Sequence, residues 1–307
     1  MTLSQNNYLL KKSAAMASVF VAIMLIVLKL VAFIKTDSLA VFSSLIDSVT
    51  DLFASFISGV AVYFSMNPAT CKLRYGYGKS EALSALLQAI FVGASGVFVI
   101  FDGINRLFNP VEVGQTGVGI WVMLFSIFST IVLVCFQSYV AKKTNSLAIK
   151  SDMAHYVVDF LTNGTVVISL ILVKMFDFVY FDVIAALFIS LYLLYNAYEL
   201  GKESIEQIIY TELSDEIRSN IENIAVKCDG VHGIHDFRTR NVGEVYYIEL
   251  HIEMDGEISL NNAHKITDNV EKMLLKEYPN SQILIHQDPL GVDEIRLDNQ
   301  FGEKCKI

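Results

Sequence analysis

Charged residues are scarce in this chain of 307 residues: they make up 18% of the sequence, whereas hydrophobic residues make up 53%. An average soluble protein carries about 25% charged residues, so this composition excludes an ordinary soluble fold. The sequence also contains long apolar windows of about twenty residues, the length of a helix that crosses a bilayer. Together, the scarcity of charge and the apolar windows predict a membrane protein.

Several functional motifs are also missing. The four cysteines form no Cys-x-x-Cys pair, so the sequence gives no support to a thiolate zinc site or a disulfide framework. It has neither the His-Glu-x-x-His helix of a metalloprotease nor the Gly-x-Gly-Asp context of an intramembrane aspartyl protease. Because no phosphate-binding loop occurs, nucleotide hydrolysis is not expected. These absences predict that the chain is not an enzyme.

The apolar windows predict six membrane spans. Their limits lie near residues 13–34, 38–64, 82–108, 117–140, 146–174 and 177–199. The first window continues well beyond the length of a secretory signal, so we assign it as a span.

Positive residues predict the orientation of the spans, because lysine and arginine in short connections stay on the cytoplasmic side. The N-terminal segment and the second and fourth connections contain Lys11, Lys12, Lys72, Arg74, Lys79, Lys142, Lys143 and Lys150. The only bases near the first, third and fifth connections are Lys35, Arg106 and Lys174. We therefore expect both termini in the cytoplasm.

The C-terminal third has a different character. Residues 201–307 hold 21 acids and 11 bases, a net charge of −10, whereas the first 200 residues hold 11 acids and 12 bases. This acidity argues against nucleic acid or anionic lipid as a partner of the C-terminal part. Its hydrophobic periodicity predicts a helix, two strands, a helix and a strand, the order of a ferredoxin-like sandwich.

The predicted fold is an α-helical membrane protein with six transmembrane helices plus a C-terminal cytoplasmic α+β ferredoxin-like (αββαβ) domain. We place the transmembrane domain at residues 1–204 and the cytoplasmic domain at residues 205–290. Residues 291–307 show no periodicity and are expected to be a loose tail.

Two of the predicted spans have polar stripes, because residues three or four apart share a helix face. The stripe of the second span comprises Ser44, Asp47, Ser48, Asp51, Ser55 and Ser58. The stripe of the fifth span comprises Asp152, His155, Asp159 and Asn163. Each ionised side chain at the bilayer centre costs at least about 2.5–3.5 kcal/mol, so we expect the two stripes to face each other or water.

A divalent cation would offset the cost of these acids. Asp47, Asp51, His155 and Asp159 supply three carboxylates and one imidazole, a ligand set that suits a tetrahedral metal. The alternative is a group of protonated, hydrogen-bonded acids that serve only helix packing. Paired motifs on two separate spans favour the metal site over this alternative.

Seven short segments resemble those of one transporter family. They are SLIDSVTD in the second span, GYGKSEALSALLQ before the third, SDMAHYVVD in the fifth, and GIHDFRTR, ELHIEM, AHKITD and IHQDP in the cytoplasmic domain. On these segments the chain resembles the cation diffusion facilitator (CDF) family, and within it the bacterial FieF/YiiP-like subgroup of iron and zinc efflux transporters. The resemblance extends from the first span to the IHQDP segment.

The resemblance implies a homodimer in a bacterial inner membrane that exports divalent metal ions by proton antiport. The substrate would be zinc, ferrous iron or cadmium, and lipid would be the surrounding partner, with no role for nucleic acid. The transport site implied by the family falls on the same four residues that the helix faces select.

The resemblance also implies a two-metal site of structural or regulatory zinc in the cytoplasmic domain. Asp288 would bridge the two ions, His235 and His251 would hold one, and His264 and His286 would hold the other. Taken singly, each histidine is more simply explained as a surface residue. All four match the family motif together, which favours the metal site.

One departure from the family pattern concerns the connection between the second and third spans. Many relatives bind a metal there through an aspartate and two histidines, but this chain has Thr70, Leu73 and Tyr77 at those positions. We therefore expect no metal site in this connection.

Two other functions remain open from the sequence. A passive cation channel and a metal-binding membrane sensor would both need metal ligands inside the membrane. The ligand set alone does not separate them from a transporter, whereas the dependence of metal flux on a pH gradient does.

Overall fold

The computed structural model describes residues 3–36, 39–67, 69–108, 117–176, 181–243, 245–292 and 296. The chain divides into two compact units, Met1–Ile205 and Glu206–Ile307.

The described residues of the first unit form six long helices. Each helix has 27 to 34 residues, and at 1.5 Å per residue this length exceeds the roughly 30 Å hydrocarbon core of a bilayer. The helices are α1 (Leu3–Thr36), α2 (Leu39–Ser65), α3 (Lys79–Phe108), α4 (Gly117–Thr144), α5 (Leu147–Phe176) and α6 (Phe181–Ile208).

Hydropathy agrees with a membrane location for these helices. Among the residues described, the segments Asn7–Lys35, Lys79–Phe101 and Leu124–Thr144 are long and apolar enough to cross a membrane by length and composition. The helices α2 and α5 include the acids of the polar stripes, which lower their hydropathy.

The outer surface of the helical unit is apolar. Phe20, Phe98, Trp121 and Phe128 are between 65% and 75% exposed. Large exposed apolar surfaces mark contact with a membrane or a partner, and their distribution over several helices here suits lipid.

Small residues bring α3 and α6 close together. A Cβ atom added at Gly93 would lie 3.5 Å from Ala197, and one added at Gly96 would lie 3.2 Å from Leu194. Glycine at such positions lets two membrane helices approach closely. The GASG segment at residues 93–96 is therefore a packing surface.

A buried ion pair joins the ends of several helices. Lys11 Nζ lies 2.8 Å from Glu81 Oε1, and the two residues are only 2% and 3% exposed. Ser65 and Ser146 also donate hydrogen bonds to the Glu81 carboxylate, at 2.7 and 2.5 Å. The cluster connects α1, α2 and α3 to the junction between α4 and α5.

Replacing Lys11 by methionine should lower the free energy of unfolding by about 3–5 kcal/mol, because the carboxylate of Glu81 would stay buried without its main counter-charge. Thermal unfolding of the purified protein in detergent would measure the change. Lys12→Met is the matched control, since Lys12 is exposed. Equal melting temperatures for the two variants would show that the ion pair does not stabilise the fold.

The second unit is an αββαβ sandwich. Its elements are α7 (Asp215–Val226), β1 (Gly233–Val242), β2 (Val245–Met254), α8 (Leu260–Glu277) and β3 (Ser281–Pro289). The strands lie in the order β1-β2-β3, with β1 antiparallel and β3 parallel to β2. A parallel neighbour needs a crossover connection, and α8 supplies it.

Both helices of this unit cover one face of the sheet. Ile248, Leu250 and Ile252 alternate along β2 and are at most 1% exposed, packed with Ile221 of α7 and Leu274 of α8. Because strand side chains alternate between faces, the intervening residues of β2 point to the opposite, helix-free face. That face bears the histidines described below.

The thiol of Cys228 lies in the core of the second unit. Burial raises its pKa, and the nearby carboxylate of Asp229 raises it further. A raised pKa leaves less thiolate at a given pH, and the thiolate is the form that alkylating agents attack.

Alkylation of Cys228 by iodoacetamide should therefore be slow, with a pH midpoint above the value of about 8.5 for a free cysteine. Quantifying the alkylated peptide by mass spectrometry between pH 7 and 10 would test this. The exposed Cys71 is the internal reference and should react faster. Equal rates at the two cysteines would contradict the burial of this thiol.

Candidate metal sites

The polar stripe of α2 faces the interior of the helical unit. Asp51 is 8% exposed, and Ser48, Ser55 and Ser58 are fully buried. The side chain of Asp47, the remaining acid of the stripe, lies outside those that the structure describes.

The stripe of α5 meets that of α2. His155 is 8% exposed, and its Nε2 atom lies 3.0 Å from Oδ1 of Asp51. One ligand atom each from Asp51, His155 and Asp159 lie within 4.8 Å of one another. Ligands about 2.1 Å from a tetrahedral ion are about 3.4 Å apart, so the three groups have nearly the spacing of a metal site.

A hydrogen-bond network surrounds the fully buried Asp152, one turn before His155. Its carboxylate accepts bonds from Ser55 Oγ at 2.9 Å and from Gln137 Nε2 at 2.6 Å. The hydroxyl of Tyr156 lies 2.9 Å from Ser55 Oγ. These contacts link α2, α4 and α5 and hold the two site helices together.

Sequence reasoning missed Gln137 as a member of this network. The available signal was a single amide inside the apolar run of the fourth span. A polar side chain in a membrane helix usually hydrogen-bonds to a neighbouring helix.

In the second unit, strand register brings three histidines into a row. His235 of β1 is paired with His251 of β2, and His251 is paired with His286 of β3. Residues directly opposite each other point to the same face of a sheet, here the helix-free face. Neighbouring ring centroids are 5.1 and 4.6 Å apart.

Asp288 connects these histidines. Its Oδ2 atom lies 3.2 Å from His235 Nε2 and 2.8 Å from His251 Nδ1, and its Oδ1 atom lies 3.1 Å from His286 Nε2. His235 and Asp288 are 4% and 6% exposed. The carboxylate therefore has one oxygen toward the first two histidines and the other toward the third.

Two other side chains complete the description of this region. His264 lies on α8 with a 70% exposed side chain, and its Nε2 atom is 3.7 Å from Asp268. The structure does not bring His264 into the row of histidines, so its pairing with His286 stays a prediction.

Glu253, which sequence reasoning missed, lies 3.5 Å from His235 Nδ1 and contacts Arg296. The alternation of β2 places Glu253 on the same face as His251, which was the available signal.

Comparisons with known proteins cover nearly the whole chain. The model of the cation efflux transmembrane domain matches residues 15–209, and that of the cation efflux protein cytoplasmic domain matches residues 213–290. The cation-efflux pump FieF of Yersinia enterocolitica is 40% identical over 283 residues, which cover 92% of this chain and 94% of that protein. Protein p34 of Rickettsia rickettsii is also 40% identical, over 92% of this chain and 93% of its own length.

A solved structure resembles the cytoplasmic part. The metal-bound C-terminal domain of the CzcD transporter from Thermotoga maritima is 35% identical, covering 26% of this chain and 93% of that domain with a TM-score of 0.25.

The family matches confirm the predicted fold class, a helical transmembrane domain followed by a small α+β cytoplasmic domain, and make this a multi-pass membrane protein. The chain belongs to the cation efflux, or cation diffusion facilitator, family and is similar to the FieF pumps within it.

Proposed function

We propose that this protein exports divalent metal ions from the cytoplasm in exchange for protons, as a homodimer in a bacterial inner membrane with both termini in the cytoplasm. The observation that carries the proposal is the buried contact of His155 with Asp51, with Asp159 beside them. The similarity to a cation-efflux pump along 92% of the chain supports the same function.

The transport site comprises Asp47, Asp51, His155 and Asp159. Asp47 shares the helix face of Asp51 one turn earlier, so we assign it as the fourth ligand. Three carboxylates and one imidazole accept zinc, cadmium and ferrous iron, because the set combines hard oxygen with borderline nitrogen ligands. The metal is the substrate, and no covalent chemistry is needed.

Protons and metal compete for the same atoms of the site. Metal binding requires ionised carboxylates and a neutral imidazole, so each ion that binds releases protons. His155 Nε2 lies 3.0 Å from Asp51 Oδ1, a distance at which the two groups can hold a proton in a hydrogen bond between them. Because the same atoms hold either metal or protons, the site loads metal on the cytoplasmic side and takes up protons from a more acidic exterior as the metal leaves.

We also propose that the cytoplasmic domain binds structural or regulatory zinc. His235, His251 and Asp288 fit one ion, because their ligand atoms lie within 4.8 Å of one another and combine imidazole with carboxylate. The family pattern assigns His264 and His286, with the second oxygen of Asp288, to another ion. Bound zinc would cross-link the three strands and stabilise the folded domain.

Metal uptake into proteoliposomes, measured with and without a pH gradient, tests the transport proposal. Zinc, cadmium and ferrous iron are each offered to wild-type protein, and an internal pH dye records proton movement. An antiporter should show metal flux that rises with the opposing proton gradient and moves protons in the other direction.

The two alternative functions give different results in the same experiment. A passive channel would conduct metal without proton exchange. A sensor would bind metal without any flux. Either result would overturn the antiport proposal. If antiport is observed, the relative uptake rates rank zinc, cadmium and ferrous iron as substrates.

A further inference from the structure

A lysine lies buried in the helical unit beside the transport site. Lys29 falls within the apolar segment Asn7–Lys35 of α1 and is only 6% exposed. Its ammonium group donates a hydrogen bond of 2.6 Å to the hydroxyl of Ser48. An ionisable residue inside a membrane helix is energetically costly, which points to a functional role.

Ser48 fixes where this positive charge lies. It is fully buried on α2, directly follows Asp47 in the sequence, and lies three residues before Asp51. Residues three apart on a helix have Cβ atoms about 5–6 Å apart. The ammonium of Lys29 therefore lies at α2 about one helical turn from Asp51, a residue of the proposed transport site.

We propose that Lys29 is a positioning residue for transport, whose fixed positive charge tunes the affinity of the site for metal. This inference rests on the proposed function. Three ionised carboxylates bear three negative charges, which one divalent ion and one ammonium together neutralise. Without the lysine, the empty site would carry one more net negative charge in a low-dielectric interior and would attract the ion more strongly.

The charge has a predictable effect on binding and release. The ammonium repels the metal ion, so it weakens binding and favours release. A neutral side chain at position 29 should bind the ion more tightly and release it more slowly. Both KM and the maximal rate should fall, whereas damage to the site would raise KM or leave it unchanged.

Initial rates of zinc uptake into proteoliposomes, taken at pH 8 where protons compete least, test the inference. Lys29→Met and Lys29→Gln should each lower KM about tenfold and also lower the maximal rate. Lys29→Gln keeps a donor for Ser48 and so preserves the packing if Lys29→Met misfolds. Lys29→Arg keeps the charge and should keep KM near the wild-type value.

Two further variants separate the possible failures. Lys35→Met removes an exposed lysine of the same helix and should leave KM unchanged. Asp51→Ala removes a proposed ligand and should abolish uptake. If KM is unchanged or higher in both neutral Lys29 variants while Asp51→Ala is inactive, the proposed role of Lys29 is overturned. The proposed transport site is then not affected. Full uptake by Asp51→Ala would overturn the transport site and the inference with it.

Discussion

Replacing Asp51 by alanine should reduce metal flux at least about a hundred-fold. Four ligands bind a structural zinc with about 10–16 kcal/mol, so one ligand supplies about 3 kcal/mol, or two powers of ten in affinity. Asp51 also contacts His155 directly, so its loss leaves the imidazole without its partner on α2. Asp159→Ala should have an equally large effect, because its carboxylate lies in the same cluster.

Proteoliposomes loaded with a zinc-sensitive dye would measure this loss for both variants. Asp215→Ala is the control, because Asp215 is an exposed acid in the first turn of α7. Size-exclusion chromatography should show the same elution for all three variants, which separates loss of transport from loss of folding. Wild-type flux in Asp51→Ala or Asp159→Ala would refute the proposed transport site.

Helical periodicity predicts which residues share a face, and from it we selected the two helices of the proposed transport site. The spacing of Asp47 and Asp51, and that of His155 and Asp159, places each pair on one side of a helix. The cost of burying acids in lipid then predicts that these sides meet. The structure places His155 3.0 Å from Asp51 in agreement with that reasoning.

Contacts with the remaining helices did not follow from periodicity. A pattern of 3.6 residues gives the face of a residue but not the helix opposite it. Gln137 bonds to Asp152, and Lys29 to Ser48, because α4 and α1 pack against the site helices. The packing of the whole helical unit determines which helices lie next to each other. The spacing of residues within a single helix does not contain this information.

In the cytoplasmic domain, too, the sequence predicts which residues share a face but not which elements they contact. Alternation along β2 predicts that His251 and Glu253 share a face, and the element order αββαβ is present as predicted. Strand register is not encoded in alternation, so the row of His235, His251 and His286 was not predicted. The resemblance to a family assigned only His235 and His251 to one ion and His264 and His286 to another. The position of His264 depends on how α8 packs over the sheet, which the sequence did not reveal.

Replacing Asp288 by alanine should abolish binding of both metal ions that we propose for the cytoplasmic domain. One oxygen of its carboxylate contacts His235 and His251, and the other contacts His286, so Asp288 is the residue that serves both proposed sites. The affinity for zinc should fall at least about a hundred-fold, since a shared ligand is lost from each ion. His286→Ala should remove only one ion, because His235 and His251 do not depend on it.

Calorimetric titration of the full-length protein with zinc would measure this effect, in a background of Asp51→Ala and Asp159→Ala that removes the transport site. His232→Ala is the control, because His232 is exposed and matches no part of the metal motif. If Asp288→Ala binds as many zinc ions as the background protein, the proposed cytoplasmic metal site is refuted. With the transport ligands intact, Asp288→Ala should retain part of its flux, because the proposed transport ligands belong to the helical unit. Loss of binding without complete loss of transport would therefore show that metal translocation by the helical unit does not require metal bound to the cytoplasmic domain.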